Sequence, residues 1–520
     1  RILDSTKPLN NKTAKPLNNK TTKQTFNNEI QMNWKKLQNG SDIRGVALEG
    51  IEGENVNFTP EVVETIAKAF VKWISNTTGN QHPTIAIGAD CRLSGDAVRA
   101  AFIKGAVSMG ADMLDCGLAS TPAMFMTTVS DQTKATASVM VTASHLPFNR
   151  NGLKFFTPKG GLDIKDIAAI LDIAEQEDFS YDGTPGHCSD LDFMTAYSKH
   201  LADYIRKGVN AEDRQHPLAG MHIIVDAGNG NGGFFENILQ TLGADTQGSQ
   251  FLDPDGRFPN HIPNPENADA MASVCEAVKR SHADLGIIFD TDVDRSAIVD
   301  HEGSPINRNA LIALISTVIL QEHPGSTIVT DSVTSDGLAE FIQSKGGKHH
   351  RFRRGYKNVI NEGIRLNDAG EECWLAIETS GHAALRENYF LDDGAYLAAK
   401  LIIYAALLNK EGKKLHEVIS SLKQPKESKE IRIKITTPDF KSYGAKVLED
   451  MKVAFASVPG WSLVSPNYEG LRVSCSNSDE EGWLLLRMSL HDPVMPLNIE
   501  SNVEGGVAVI EEKLKKIGLI

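Results

Sequence analysis

Five short apolar runs recur along this chain, TIAIGAD, SVMVTAS, HIIVDAG, LGIIFDT and TIVTDS, and each ends in small or acidic residues. Helical periodicity appears between them, as in DGLAEFIQSKGG. The stretch TPEVVETIAKAFVKWIS puts Val62, Ile66, Phe70 and Ile74 on one helical face, behind a Thr59 N-cap and Pro60 at the first helical position. Alternation of this kind predicts α/β layers with mainly parallel sheets. In such folds ligands gather at the carboxyl ends of strands. The unusual residues of this chain fall there.

At 520 residues the chain exceeds a single hydrophobic core, so roughly three or four domains are expected. A net charge of −14 argues against a general nucleic-acid binder, and no run approaches the roughly 20 apolar residues of a membrane span. An anionic ligand therefore needs positive charge concentrated locally. The six cysteines lie far apart with no C-x-x-C pair, which favours reduced, intracellular thiols over disulfides or zinc. Residues 1–35 are a different material: KPLNNKTA and KPLNNKTT repeat in tandem, and six basic residues stand against one acid through Lys23. This segment reads as a disordered basic tail. It is either the remainder of a transit sequence, with a plastid location, or a plain tail on a cytoplasmic protein.

Four strand ends carry chemistry. In VMVTASHLPFNRNGLKFF, Ser144 stands at the end of an apolar strand beside His145, with Lys154 ten residues on. That is either an ordinary polar loop or a nucleophile displayed where a sheet opens. In LGIIFDTDVDR, a strand delivers Asp290, Asp292 and Asp294 at alternate positions, then Arg295. Carboxylates this close repel unless a cation shares them, and oxygen ligands select Mg²⁺ or Ca²⁺. An EF-hand fails, because its sixth position is Arg295 instead of Gly and its twelfth is His301 instead of Glu. In WLAIETSGHAAL, the set Glu378, Ser380 and His382 suits a polyhydroxyl ligand or, equally, a satisfied polar loop. In WLLLRMSLHDP, Arg487, Ser489 and His491 follow a strand, and the planar fork of arginine suits a phosphate. Arg44, Arg92 and the basic stretch KHHRFRRGYK, which contains Lys357, are further candidates or solvated charges.

Together these loops resemble the α-D-phosphohexomutases, a family that includes phosphomannomutase/phosphoglucomutase and phosphoglucosamine mutase. TASHLPFNRNGLK is similar to that family's phosphoserine loop, FDTDVDR to its metal loop and ETSGH to its sugar loop; DPDGRFPNHIPNPE resembles a further family stretch. The likeness runs in order from Gly40 to about Glu500. It implies four domains around a central cleft: 36–212 with the phosphoserine loop, 213–305 with the metal loop, 306–427 with the sugar loop, and 428–520 with a phosphate-binding loop. The first three carry mixed, mainly parallel sheets; the last is a smaller α+β unit.

The resemblance also implies an intramolecular phosphotransferase, an isomerase interconverting hexose 1- and 6-phosphates of glucose or mannose. Ser144 would carry the phosphoryl group, and Mg²⁺ would be held by Asp290, Asp292, Asp294 and the serine phosphate. Lys154 would be the acid/base, Arg44 and Arg295 would steady the phosphate, and His145 would support the loop. Glu378, Ser380, His382 and Lys357 would bind sugar, with Arg487, Ser489 and His491 on the distal phosphate. A hexose 1,6-bisphosphate would be intermediate and activator, and the protein would be a monomer or homodimer. Alternatives are a phosphoglucosamine mutase, a bisphosphate-forming enzyme or a weakly active sugar-phosphate binder. The sequence departs from the family pattern in Leu146 after the Ser-His pair, in Thr291 and Val293 within the metal loop, and in Ile377 before Glu378. In the fourth loop, Leu490 and His491 replace Gly-Thr and Pro496 replaces a second arginine.

Overall fold

The computed structural model describes residues 32–489 and 492–520. The tail assigned to residues 1–35 lies almost wholly outside the described residues, as does His491. No helix among the described residues is long and apolar enough to cross a membrane.

The helix foreseen after Thr59 runs Pro60–Thr78. The Thr59 side chain accepts from the Val62 amide, and the helix stops at Gly79, whose φ of 75° suits a residue without a Cβ. Its buried face, with Val63, Ile66, Phe70 and Ile74, packs on the first of four sheets. All five apolar runs form strands: Thr84–Ala89, Ala137–Val141, Ile223–Asp226, Leu285–Phe289 and Thr327–Thr330.

The first three sheets are mixed, and their parallel pairing is confined to one side. Ala137–Val141 is parallel to Thr84–Ala89 but antiparallel to Arg150–Thr157. Leu285–Phe289 is parallel to Ile223–Asp226 but antiparallel to Ser296–Asp300. Cys373–Ile377 is parallel to Thr327–Thr330 but antiparallel to Ala383–Leu385. The serine, metal and sugar loops are therefore the turns at which three sheets change from parallel to antiparallel. A parallel neighbour requires a long crossover, whereas an antiparallel one needs only a short turn anchored at both ends. Among the described residues no helix follows these loops: each returns directly as the strand Arg150–Thr157, Ser296–Asp300 or Ala383–Leu385.

The fourth sheet, of strands between Glu427 and Ser501, is wholly antiparallel, and Gly482–Leu486 leads into the fourth loop. It has its own core, including Val473, Leu484, Leu497 and Ile510, whereas one continuous core runs through the other three sheets. The segment ends expected at 305 and 427 coincide with the strands Pro305–Ile306 and Glu427–Lys434.

The fourth unit docks on the third through Val333, Trp483 and Leu485. Beside this contact the Trp483 indole N–H donates to Glu500 at 2.8 Å. Burial pushes Glu500 up to about 7, despite the nearby Arg472. The folded state thus favours the protonated acid, a contribution fully present below the usual carboxylate range and lost as pH rises through about 7. Glu500→Gln, which never ionises, is expected to be about 2 kcal/mol more stable than the parent at pH 8 and equal to it near pH 4. Calorimetric melting at both values checks this; a gain equal at both would remove ionisation as the cause.

Candidate active site

The serine loop is held from beneath. Asp90 and Arg92, at the end of Thr84–Ala89, form a buried pair at 3.3 Å. Thr142 donates to Asp90 at 2.6 Å and accepts the Ser144 amide at 2.9 Å. The Arg92 guanidinium donates to the carbonyls of Leu146, Pro147 and Arg150 at 2.7, 2.8 and 3.0 Å, and also to that of Ser144. So tethered, Ser144 is kept at φ 52°, in the left-handed region that a serine seldom adopts. Its Oγ is 3.0 Å from Arg295 Nη2, 3.3 Å from His145 Nδ1 and 3.4 Å from Asp290 Oδ2.

Arg295 also donates to His145 Nδ1 at 2.7 Å. That nitrogen is therefore an acceptor and the ring is neutral. Burial, with Arg295 and Arg44 adding to it, lowers the His145 pKa to about 2. His145 is therefore no base for Ser144. The loop is held by Arg92, read from sequence only as a strand-end cation. Arg92→Met is expected to lower kcat roughly 100-fold with sugar-phosphate Kd little changed, since a misplaced reacting group costs on that order. Steady-state kinetics beside calorimetric Kd separates the two; an unchanged kcat would show the loop to be held without it.

Asp290, Asp292 and Asp294 are fully buried, and they offer oxygens that all lie within 4.8 Å of one another. Arg295 Nε donates to Asp290 at 2.9 Å. Lys154, from the strand after the serine loop, bonds Asp292 at 3.2 Å and also Asp294. Thr121, from the first sheet's layer, donates to Asp292 twice, its amide to the main-chain carbonyl at 2.9 Å and its hydroxyl to the carboxylate. Nothing in the sequence pattern pointed to Thr121. Burial and the neighbouring Asp294 push Asp290 well above the carboxylate range, whereas at Asp294 burial is outweighed by Lys154, His382 and Arg295. At Lys154 burial is likewise outweighed by Asp292 and Asp294, which keep it an ammonium. Val293 sits at φ 67°, where a β-branched residue is strained. This is one of the two positions at which the family pattern has glycine.

In the sugar loop Glu378 accepts the Gly355 amide at 2.6 Å, and Ser380 donates to Glu378 at 3.4 Å. His382 Nδ1 meets Asp392 at 2.9 Å, and the ring stacks on Tyr356. The Tyr356 hydroxyl donates to Asp42 at 3.0 Å, and Arg44 donates to the same carboxylate at 2.8 Å. One ladder of contacts therefore ties the first sheet to the third.

These groups face one cleft of about 730 Å³. Ser144, His145, Lys154, Arg44, Arg295, Glu378, Ser380, His382, Lys357, Arg487 and Ser489 all line it. Of the sequence candidates, the three aspartates lie beneath the wall and His491 is outside the described residues. Eight lysine and arginine side chains line the cleft against three carboxylates, in a chain of net charge −14. The local positive charge that an anionic ligand requires is present. Arg354, Tyr356, Glu266 and Lys441 also line it. Lys441 carries no local signal, whereas Glu266 closes the stretch DPDGRFPNHIPNPE. The basic stretch around Arg354 is divided by the fold: Arg351 bonds Asp336, Arg353 bonds the Tyr468 carbonyl, and Arg354 and Lys357 face the cleft. Pro496 is buried within a strand, its carbonyl accepting from the Arg487 amide at 3.1 Å.

A strand-end hydroxyl, a buried acidic cradle and a cationic cleft define an enzyme that moves phosphoryl groups. Three successive segments match the phosphoglucomutase/phosphomannomutase alpha/beta/alpha domains: domain I over residues 35–181, domain II over 195–303 and domain III over 307–425. The chain belongs to this family, the α-D-phosphohexomutases, and is a hexose-phosphate mutase, a phosphate-transferring isomerase. It is similar to a phosphoglucomutase of Neisseria gonorrhoeae, with 28% identity over 92% of this chain and 95% of the relative. A phosphoglucomutase/phosphomannomutase of Thermococcus kodakarensis is 29% identical over 92% of this chain and 99% of its own. Among solved structures, a phosphoglucomutase/phosphomannomutase family protein of Burkholderia thailandensis superposes with a TM-score of 0.73 at 24% identity, covering 92% of this chain and 96% of that one.

Proposed function

We propose that this mutase interconverts the 1- and 6-phosphates of glucose and mannose through a phosphoserine at Ser144 and a bisphosphorylated sugar. The observation that carries the reading is the Ser144 hydroxyl, held between Arg295 and Asp290 at the floor of a cleft rich in cations.

The residues present fit a divalent cation. Asp292 Oδ1 and Asp294 Oδ1 are buried and meet no hydrogen-bond donor among the described residues, and an all-oxygen donor set suits Mg²⁺. Asp290, Asp292 and Asp294 would hold it with an oxygen of the serine phosphate. When bound, it neutralises charge on the transferring group.

The remaining work belongs to side chains. As phosphoryl leaves Ser144 for a sugar hydroxyl, the bond from phosphorus to Ser144 Oγ breaks and one to the sugar oxygen forms. Lys154, an ammonium, supplies the proton that the serine oxygen takes up. The sugar hydroxyl gives up its proton as the new bond forms, and that proton restores Lys154 to the ammonium. The bisphosphate then reorients, and Ser144 regains a phosphoryl group from the opposite end by the reverse steps. Glu378 and Ser380 grip sugar hydroxyls, and Arg487 and Ser489 hold the phosphate that is not reacting. A bisphosphate that escapes leaves Ser144 without its phosphoryl group, so added hexose 1,6-bisphosphate activates.

A coupled assay with glucose, mannose and glucosamine 1-phosphates, with and without the matching bisphosphate, tests the reading. Conversion of glucose or mannose phosphate is expected. Conversion of glucosamine phosphate alone, or of none, overturns it.

A further inference from the structure

Arg487 is buried, and its Nε meets no acceptor among the described residues. A guanidinium desolvated in this way is costly unless an anion arrives to share its charge. One arginine is a thin clamp for a phosphate dianion, and Pro496, which stands where the family pattern has a second, is locked into a strand with its carbonyl engaged. The cleft nevertheless holds another guanidinium.

Arg354 precedes the helix Tyr356–Asp368 and lines the same cleft as Arg487. Its side chain is 25% exposed, so it is open to a ligand. Its Nε pairs with Asp331 at 3.3 Å. Asp331 in turn accepts from the Thr379 amide at 3.1 Å and hydroxyl at 2.8 Å, so the sugar loop and Arg354 share one anchor. From the fourth unit, Glu469 accepts from the Arg354 amide at 3.2 Å and from the Ser332 hydroxyl. These contacts order the Arg354 backbone and one edge of its guanidinium, leaving the other edge for the cleft.

We propose that Arg354 is a substrate-binding residue, the second guanidinium for the phosphate that is not reacting, shared with Arg487 across the seam between the third and fourth units. Two forks on one phosphate supply several charge-assisted bonds from different directions. Mutual influence fits this placement: after burial, Glu469 and then Arg354 act most on the Arg487 charge, with Arg354 opposing it. Two like charges held this close are relieved when a phosphate binds between them. Glu469 carries a charge that opposes an anion, but that charge is spent on two donors of the third unit. Its role is positioning: it sets Arg354 only when the fourth unit is docked. The distal subsite is thereby complete only in the assembled cleft.

The inference rests on the mutase reading for the identity of the ligand, so two probes are used, glucose 1-phosphate and inorganic phosphate, with binding read by calorimetry. Arg354→Met is expected to raise Kd for both probes roughly tenfold or more, as loss of a charge-assisted fork implies. Arg354→Lys, which keeps the charge without the planar fork, should recover part of the loss. Unphosphorylated glucose should bind parent and variants alike. A Kd for Arg354→Met within twofold of the parent overturns the proposal. Should Arg354→Met fail to melt cooperatively, Arg354→Lys decides: about threefold weaker binding supports the clamp and equal binding overturns it. If the parent turns over sugar phosphates while Arg354→Met binds them normally, only this inference falls. If inorganic phosphate binding depends on Arg354 while no sugar phosphate is converted, the clamp stands and the mutase reading falls.

Discussion

Ser144→Ala is expected to lose at least about 10³-fold in turnover, the scale on which a covalent nucleophile is missed. The expectation rests on how much of the local structure serves one hydroxyl. Thr142, Asp90 and Arg92 hold its backbone at φ 52°, and Arg295, His145 and Asp290 surround its oxygen. An alanine accepts the same tether and leaves the cleft's cations in place, so sugar-phosphate Kd should change little while kcat collapses. Incubation with labelled hexose bisphosphate should mark the parent and leave the variant unlabelled. Near-normal turnover in Ser144→Ala, on a substrate that the parent converts, would sink the phosphoserine mechanism.

Removal of divalent cations is expected to abolish turnover, with recovery on adding Mg²⁺. Burial and the neighbouring Asp294 push Asp290 well above the carboxylate range, a cost that a bound cation removes. Two of the cradle's oxygens are without hydrogen-bond partners among the described residues, a costly state for buried carboxylates that a cation relieves. Binding should also appear without catalysis. A ligand at 100 times its Kd stabilises by about 2.7 kcal/mol, so Mg²⁺ should raise the melting temperature of the parent by a few degrees. Asp292→Asn should lose that rise. Activity that persists in a well-chelated sample would show that the cation has been given the wrong role.

The positions of three loops in the fold were legible because each follows a run of apolar, β-forming residues. Strand ends are where side chains escape the alternation of a sheet, and TASH, DTDVDR and ETSGH stand out there by composition alone. The direction of the next strand was not legible. Whether a chain returns beside its predecessor or crosses over depends on pairing with residues far away, and runs such as NGLKFF fit either course. The residues that complete the site were illegible for the same reason. Thr121 reaches Asp292 across 171 positions, and Arg92 reaches the Ser144 carbonyl across 52. Thr121 sits in no unusual stretch, and the strand end showed Arg92 only as a cation, without its partners.

The sequence by itself determined the α/β layers, the strand-end placement of Ser144, the three aspartates and Glu378, and the family resemblance, because all of these rest on short-range periodicity and local spacing. Only the tertiary structure decided that His145 is neutral, that Lys154 is an ammonium held by Asp292 and Asp294, and that Arg354 shares a cleft with Arg487. Charge state and mutual reach are set by burial and by opposite charges a few ångströms away. Those neighbours come from other sheets, and no local pattern in the chain encodes them.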